Sequence, residues 1–337
     1  MRKVGTPGAA LGAPGAARGA LGVLLMLVLS PLGDGRAWSA DYPAREIEMI
    51  VSFPAGGPAD ASARILAPKL SQILGVPVAV VNKTGGGGSV GADYVAKARP
   101  DGSIIYNSTN SALTISPVLL KDITYKSSDF TPIGAYAADL GVITVRAGGP
   151  ARTLEEFVEH ARKNPGKLTY GSAGLGTVSF FTMELFKQAY GLDITHVPFQ
   201  GTGPAKNAIL GGHVNVACSG LGSLAPLIRS GDLIPLVTTA PKRVAAFAQV
   251  PTMAEKGFPD ASLNIWMGIY VPAKTPRPIV EALTRAFNQA AKDGAVLGAL
   301  EKAGMQGFYH TGEDTAKLLE TESATVVKVA DKVGLRK

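Results

Sequence analysis

From Tyr42 onward, short apolar runs alternate with stretches whose apolar positions recur every three or four residues. Residues 47–51 (IEMIV) predict a strand, 59–74 a helix, 76–81 a second strand, 89–97 a second helix and 103–106 a third strand. Regular strand–loop–helix alternation builds a parallel sheet covered by helices, because each parallel crossover carries the chain over a sheet face. The pattern then recurs. Residues 140–145 are apolar and β-branched, 154–163 predict a helix stopped by Asn164-Pro165-Gly166, and 168–170 a strand. A helix over 177–190, a strand over 194–198, a helix over 203–210 and strands over 214–218 and 233–238 follow. A long strand over 263–271 precedes closing helices at 279–292 and 315–333. The expected fold is α/β and two-lobed, each lobe a mainly parallel sheet flanked by helices. Crossover strands near 140–145 and 263–271 would make one lobe discontinuous, 42–141 plus 264–337, and the other continuous, 142–263.

The first 39 residues follow a different rule. Arg2, Lys3 and Arg18 give a positive region, residues 21–29 (LGVLLMLVL) are apolar, and Ser30-Pro31 breaks the run. Small residues at Ala37 and Ser39 suit cleavage after Ser39, so residues 1–39 are expected to be a cleaved export signal and the mature protein periplasmic. The run falls well short of the ~20 apolar residues a membrane-spanning helix needs.

With 46% apolar and 18% charged residues in a chain of 337, the remainder suits a soluble body with a substantial core. The net charge of +7 shrinks to +4 once the four cations and one acid of residues 1–39 are set aside. No Lys/Arg run exceeds two residues, so no nucleic-acid partner is expected. Histidines 160, 196, 213 and 310 lack metal-ligand spacing, and neither a metal nor another cofactor is expected. The single cysteine, Cys218, lies in an apolar run and reads as a buried filler, which leaves no disulfide-linked partner; a monomer is expected.

Candidate chemistry concentrates in five loops that follow strands, the ends at which open α/β sheets bind ligands. They are residues 53–58 (FPAGGP), 84–89 (TGGGGS), 107–111 (NSTNS), 171–177 (GSAGLGT) and 199–203 (FQGTG). Together they offer many N–H and O–H donors and almost no fixed cation. Donors at helix N-termini favour an anion, so a small carboxylate is the expected ligand. Any one Gly-rich turn is ordinary; five at comparable strand ends carry the expectation. Residues 171–176 lack dinucleotide spacing, and 85–89 lack the Lys-Ser/Thr ending of a phosphate loop. Asp60 reads as a first-turn helix residue and His196 as a packed strand residue. Ser172 has neither a nucleophile elbow nor a partner carboxylate, so no enzyme activity is expected.

Residues 51–60 (VSFPAGGPAD), 99–102 (RPDG), 170–174 (YGSAG) and 196–201 (HVPFQG) carry a specific resemblance, joined by 250–255 (VPTMAE), Trp266 and 273–276 (AKTP). On these the mature chain resembles the substrate-binding receptors of tripartite tricarboxylate transporters, the Bug-type proteins. The resemblance implies a Venus-flytrap receptor that hands solute to membrane permease subunits. It places ligand contacts on Phe53, Ala55, Gly56 and Gly57, on Gly87, Gly88 and Ser89, and on Thr109, Asn110 and Ser111. Ser172, Gly176 and Thr177, with Phe199, Gln200 and Gly201, would complete the pocket. Three places depart from the family pattern toward lower polarity: Phe180 after Thr177, Phe199-Gln200 where Tyr-Lys is usual, and Ser219 beside Cys218 where an acid is usual. Phe180, Phe199 and Ser219 would then favour a ligand with a bulky apolar body, unless Phe180 and Phe181 face the lobe's own core. The same fold would equally serve a receptor that presents solute to a membrane sensor kinase, whereas an exported enzyme would require a reactive constellation in the cleft.

Overall fold

In the computed structural model, residues 42–261, 263–332 and 334–336 are described; the export-signal expectation for residues 1–39 lies outside them. Strand β1 (Ile47–Val51) leads into α1 (Pro58–Leu74), β2 (Val78–Asn82), α2 (Ser89–Ala96) and β3 (Ile104–Thr109). Two single-turn helices, α3 (Ser111–Thr114) and α4 (Ser116–Leu119), precede the long β4 (Phe130–Asp139). Next come β5 (Gly141–Arg146), α5 (Leu154–Lys163), β6 (Leu168–Ser172), α6 (Val178–Tyr190), β7 (Ile194–Pro198) and α7 (Thr202–Leu210). The chain continues through β8 (Val216–Gly220), α8 (Leu221–Arg229), β9 (Leu233–Thr238) and β10 (Ile265–Pro272). It closes with α9 (Arg277–Ala291), α10 (Gly294–Lys302), β11 (Gln306–Thr311) and α11 (Gly312–Lys332).

These strands form two sheets, ordered β11-β4-β10-β3-β1-β2 and β7-β6-β8-β5-β9. Each is mixed. β1 pairs in parallel with β2 and β3, and β6 with β7 and β8, while β4, β5 and β10 pair antiparallel with every neighbour. The antiparallel strands are those nearest the passages between the lobes. β4 ends at Asp139 in the six-stranded sheet, and after Leu140 the chain begins β5 in the five-stranded one; the return runs from β9 to β10.

The period of two in β1 explains how one strand serves two cores. Ile47, Met49 and Val51 face Leu66 and Leu70 of α1 and Leu283 and Phe287 of α9, whereas Ile50 joins Tyr106, Phe130, Trp266 and Tyr270 on the other face. In the five-stranded lobe, Ile143, Val145 and Cys218 pack with Phe157, Phe181 and Phe186, while Val142 and Ala217 pack with Ile209 and Leu224. Each fully buried Val, Leu, Ile, Phe or Met side chain contributes about 1.5–3 kcal/mol. The helices start where the sequence signals them: Pro58 opens α1, and Thr153 and Thr177 cap α5 and α6 through their side-chain oxygens.

Candidate functional site

Between the two lobes lies a narrow cavity, partly open to solvent. The six-stranded lobe lines it with Phe53, Pro54, Gly57, Pro58, Ala59, Thr109, Ser111 and Ile265, and the five-stranded lobe with Ala173, Thr177, Val178, Ser179 and Thr202. Not one of these residues carries a charge. Three helices begin at its wall, α1 with Pro58 and Ala59, α6 with Val178 and Ser179, and α7 with Thr202. The first N–H groups of a helix have no partner within it, and their aligned dipoles favour negative charge. Pro58 has no N–H, so the first donors of α1 belong to Ala59 and Asp60.

The loop before α1 is set by Asp60. Its carboxylate accepts the N–H of Gly56 at 3.0 Å, Arg64 Nε at 3.0 Å and Asn82 Nδ2 at 3.0 Å. Burial alone would raise its pKa, but the hydrogen bonds from Arg64, Gly56 and Asn82 and the Arg64 charge hold it below the usual carboxylate range. Asn82 Nδ2 also donates to the Phe53 carbonyl at 2.8 Å, and Gly56 turns the chain at φ +84°. Ala55 and Gly56 therefore shape the loop, and the Gly56 N–H already has a partner. Gly57 and the Phe53 ring face the cavity.

Hydroxyls supply the remaining polarity. Thr109 Oγ1 and Ser111 Oγ lie 2.7 Å apart, both buried. Thr177 Oγ1 donates to the Gly174 carbonyl at 2.6 Å and accepts the N–H of Phe180 at 3.3 Å. Ser179 Oγ accepts from the N–H of Ala173 at 3.0 Å, so its own proton is free to point to Thr177 Oγ1, 3.1 Å away, or into the cavity.

The other residues singled out in the sequence fall into three groups. Gly87, Gly176 and Gly201 lie on the seam where the lobes meet. A Cβ on Gly87 would come within 2.1 Å of the Leu175 carbonyl oxygen, and one on Gly201 within 2.8 Å of Pro54 Cδ. Ser116 Oγ closes this seam, 3.0 Å from the Gly176 carbonyl and 3.3 Å from that of Gly87. Gly88 backs onto the Phe53 ring, and Ser89 heads α2. A second group binds its own lobe. The Asn110 amide reaches Asn264 and Glu322, Ser219 Oγ lies 3.4 Å from Ser223 Oγ, and Ser172 Oγ lies 2.7 Å from His196 Nε2. The third lies outside the cavity wall. Phe180 packs 4.8 Å from the His196 ring within the core, Phe199 lies beside Gly171, and Gln200 is exposed. None of Phe180, Phe199 and Ser219 lines the cavity; its apolar wall is Phe53, Val178, Ala173 and Ile265 instead.

The Ser172–His196 pair joins two residues that are distant in sequence. His196 sits between the rings of Tyr170, 4.7 Å away, and Phe180, and burial depresses its pKa to about 4. Ser172 is fully buried and also accepts the N–H of Gly174 at 3.1 Å, so this hydroxyl ties β6 to β7 and shapes the 171–177 loop. Sequence reasoning missed Ser179, Ala59, Val178 and Ile265, and it placed Pro54, Pro58, Ala173 and Thr202 in candidate loops without singling them out as contacts. Ser179 and Thr202 were open to detection, as small hydroxyl residues in the first turn of a helix; Ile265 gives no local signal.

Against known proteins, the model of the tripartite tricarboxylate transporter family receptor matches residues 62–335. BugT of Bordetella pertussis is 33% identical over 287 residues, covering 84% of this chain and 88% of BugT. The solved periplasmic binding protein BugD is 31% identical with a TM-score of 0.83, covering 88% of this chain and 100% of BugD. MatC of Rhodopseudomonas palustris, solved with bound malate, is 29% identical with a TM-score of 0.81, covering 86% and 99% of the respective chains.

Proposed function

The chain belongs to the tripartite tricarboxylate transporter receptor family, and from that premise we propose that it captures a small organic carboxylate in the interlobe cavity and hands it to membrane permease subunits. Receptors of this family are periplasmic solute-binding proteins, and in this reading the chain reaches that compartment through a cleaved signal at residues 1–39 and works there as a monomer. The observation that carries the reading is the convergence of three helix N-termini on a cavity without a charged side chain. The N–H groups of Ala59 and Asp60, the Thr109–Ser111 hydroxyls and the start of α6 offer a carboxylate its hydrogen bonds. Phe53, Val178 and Ile265 offer an apolar wall for its carbon skeleton. The malate bound by MatC supports the ligand class. The lobes, taken as 42–141 plus 264–337 and 142–263, close over the solute, because only contacts made from both sides favour the closed form.

Isothermal titration with malate, adipate, benzoate and citrate tests the proposal. At least one is expected to bind without turnover, and Ser111→Ala is expected to weaken it by about fivefold or more, as loss of a hydrogen bond to a charged group does. Chemical conversion of a bound carboxylate, or unchanged affinity in Ser111→Ala, would overturn the reading.

A further inference from the structure

A chain of hydrogen bonds runs from the C-terminal helix, beneath the cavity, to both passages between the lobes. Its anchor is the Glu322 carboxylate on α11. Oε1 accepts from Asn110 Nδ2 and from Thr114 Oγ1, each at 2.7 Å, and Oε2 accepts from Trp266 Nε1 at 2.7 Å. A carboxylate buried without a cation is expensive unless its donors are well placed; the three short bonds offset part of that cost, and burial still holds the Glu322 pKa above the usual carboxylate range. The Asn110 amide also donates to the Asn264 carbonyl at 3.0 Å, and its Oδ1 accepts the N–H of Trp266 at 3.3 Å. Asn264 Oδ1 in turn accepts from Thr239 Oγ1 at 3.0 Å, and Thr239 Oγ1 accepts the N–H of Gly141 at 2.9 Å. Gly141 opens β5 on the outward passage, and Asn264 precedes β10 on the return.

The chain touches the cavity only through its neighbours in sequence. Asn110 lies between Thr109 and Ser111, and Asn264 and Trp266 flank Ile265. A solute that draws Thr109, Ser111 and Ile265 together therefore acts on Asn110 and Asn264. Their partners, Thr239 and Gly141, lie where the backbone must turn for the lobes to move. On the premise that the cavity takes a carboxylate, we infer that Asn110, Asn264 and Thr239 are positioning residues that couple its occupancy to lobe closure, with Glu322 as their fixed anchor. Thr239 is the telling member: it is buried, lies outside the cavity wall, and its hydroxyl bridges the two passages beside the backbone bond from its own N–H to the Gly141 carbonyl at 2.8 Å.

The mature chain, malate as probe, and spin labels at Lys121→Cys and Lys167→Cys provide the test. Both positions are exposed, one on each lobe, and the native Cys218 is buried. In the wild type, malate is expected to shorten and narrow the interlobe distance distribution. Thr239→Val is expected to bind malate about tenfold more weakly and to keep a broad distribution at saturation, while Thr239→Ser restores both. Combined with Asn110→Ala, Thr239→Val is expected to add little further loss, since the two act through one chain. Thr239→Val with wild-type malate affinity and wild-type closure, whatever its melting temperature, would overturn the coupling. A wild type that takes up no malate counts against that ligand for the cavity, and the ligand-free distances then decide the coupling. A broader spread in Thr239→Val supports it, and an identical spread overturns it.

Discussion

Thr177 serves two structures at once, as the cap of α6 and as the donor that folds the 171–177 loop back on Gly174. Thr177→Val keeps the shape and removes both bonds. It should lose about 1 kcal/mol in urea denaturation from the cap alone and also bind carboxylate more weakly, while Thr177→Ser should retain both properties. Two buried titratable groups act in opposite directions. Asp139, at the end of β4, is 1% exposed, and burial raises its pKa to about 7 against the hydrogen bond from the N–H of Gly222 at 2.9 Å. A raised carboxyl pKa gives a contribution that is complete below 3.8 and is lost as pH climbs through about 7. His196 is the converse: with its pKa depressed from 6.5 to about 4, stability is lost as pH falls through that window. Denaturation midpoints between pH 4 and 7.5 should therefore respond with opposite slopes. Asp139→Asn should remove the loss toward high pH, and His196→Gln should lessen the loss toward low pH.

Elements were legible where their periodicity is local. Strands β1, β6 and β9 and helices α1, α5 and α9 follow directly from runs of period two or 3.6. β4 was not legible, because FTPIGAYAAD lies in mid-sheet with both faces covered, so no alternation marks it, and Pro132 and Gly134 read as breakers. β11 (QGFYHT) is a polar edge strand with no apolar face to mark it, and α8, though amphipathic, is short and carries Pro226, which reads as a breaker. The loops of the site were legible as loops, since Gly and hydroxyl residues mark helix starts. Which face of each loop meets the cavity and which meets the opposite lobe was not, because the partner surface comes from 60 or more residues away in the chain. Gly87 shows this. Its place in a Gly run suggested ligand contact, yet its backbone lies against Leu175. A methyl there meets the Leu175 carbonyl and also strains a φ of +62°. Gly87→Ala should lose about 1–2 kcal/mol of stability from the left-handed backbone alone. Carboxylate affinity should fall further than that loss explains, as calorimetry beside thermal melting would reveal.

At the scale of the whole molecule, two mixed sheets are joined through Leu140 and through the return into β10, and the cavity lies on the path between them. The uncharged wall of that cavity has a consequence for the medium in which the protein works. Surface cations lose their pull on an anion as dissolved ions crowd around them, whereas helix ends and hydroxyls enclosed between lobes are shielded far less. A receptor built in this way should hold its solute almost equally well in dilute and in brackish surroundings. Affinity measured at low and at several-fold higher potassium chloride should differ by less than about twofold, in contrast to the steep decline expected of a site built on exposed lysines.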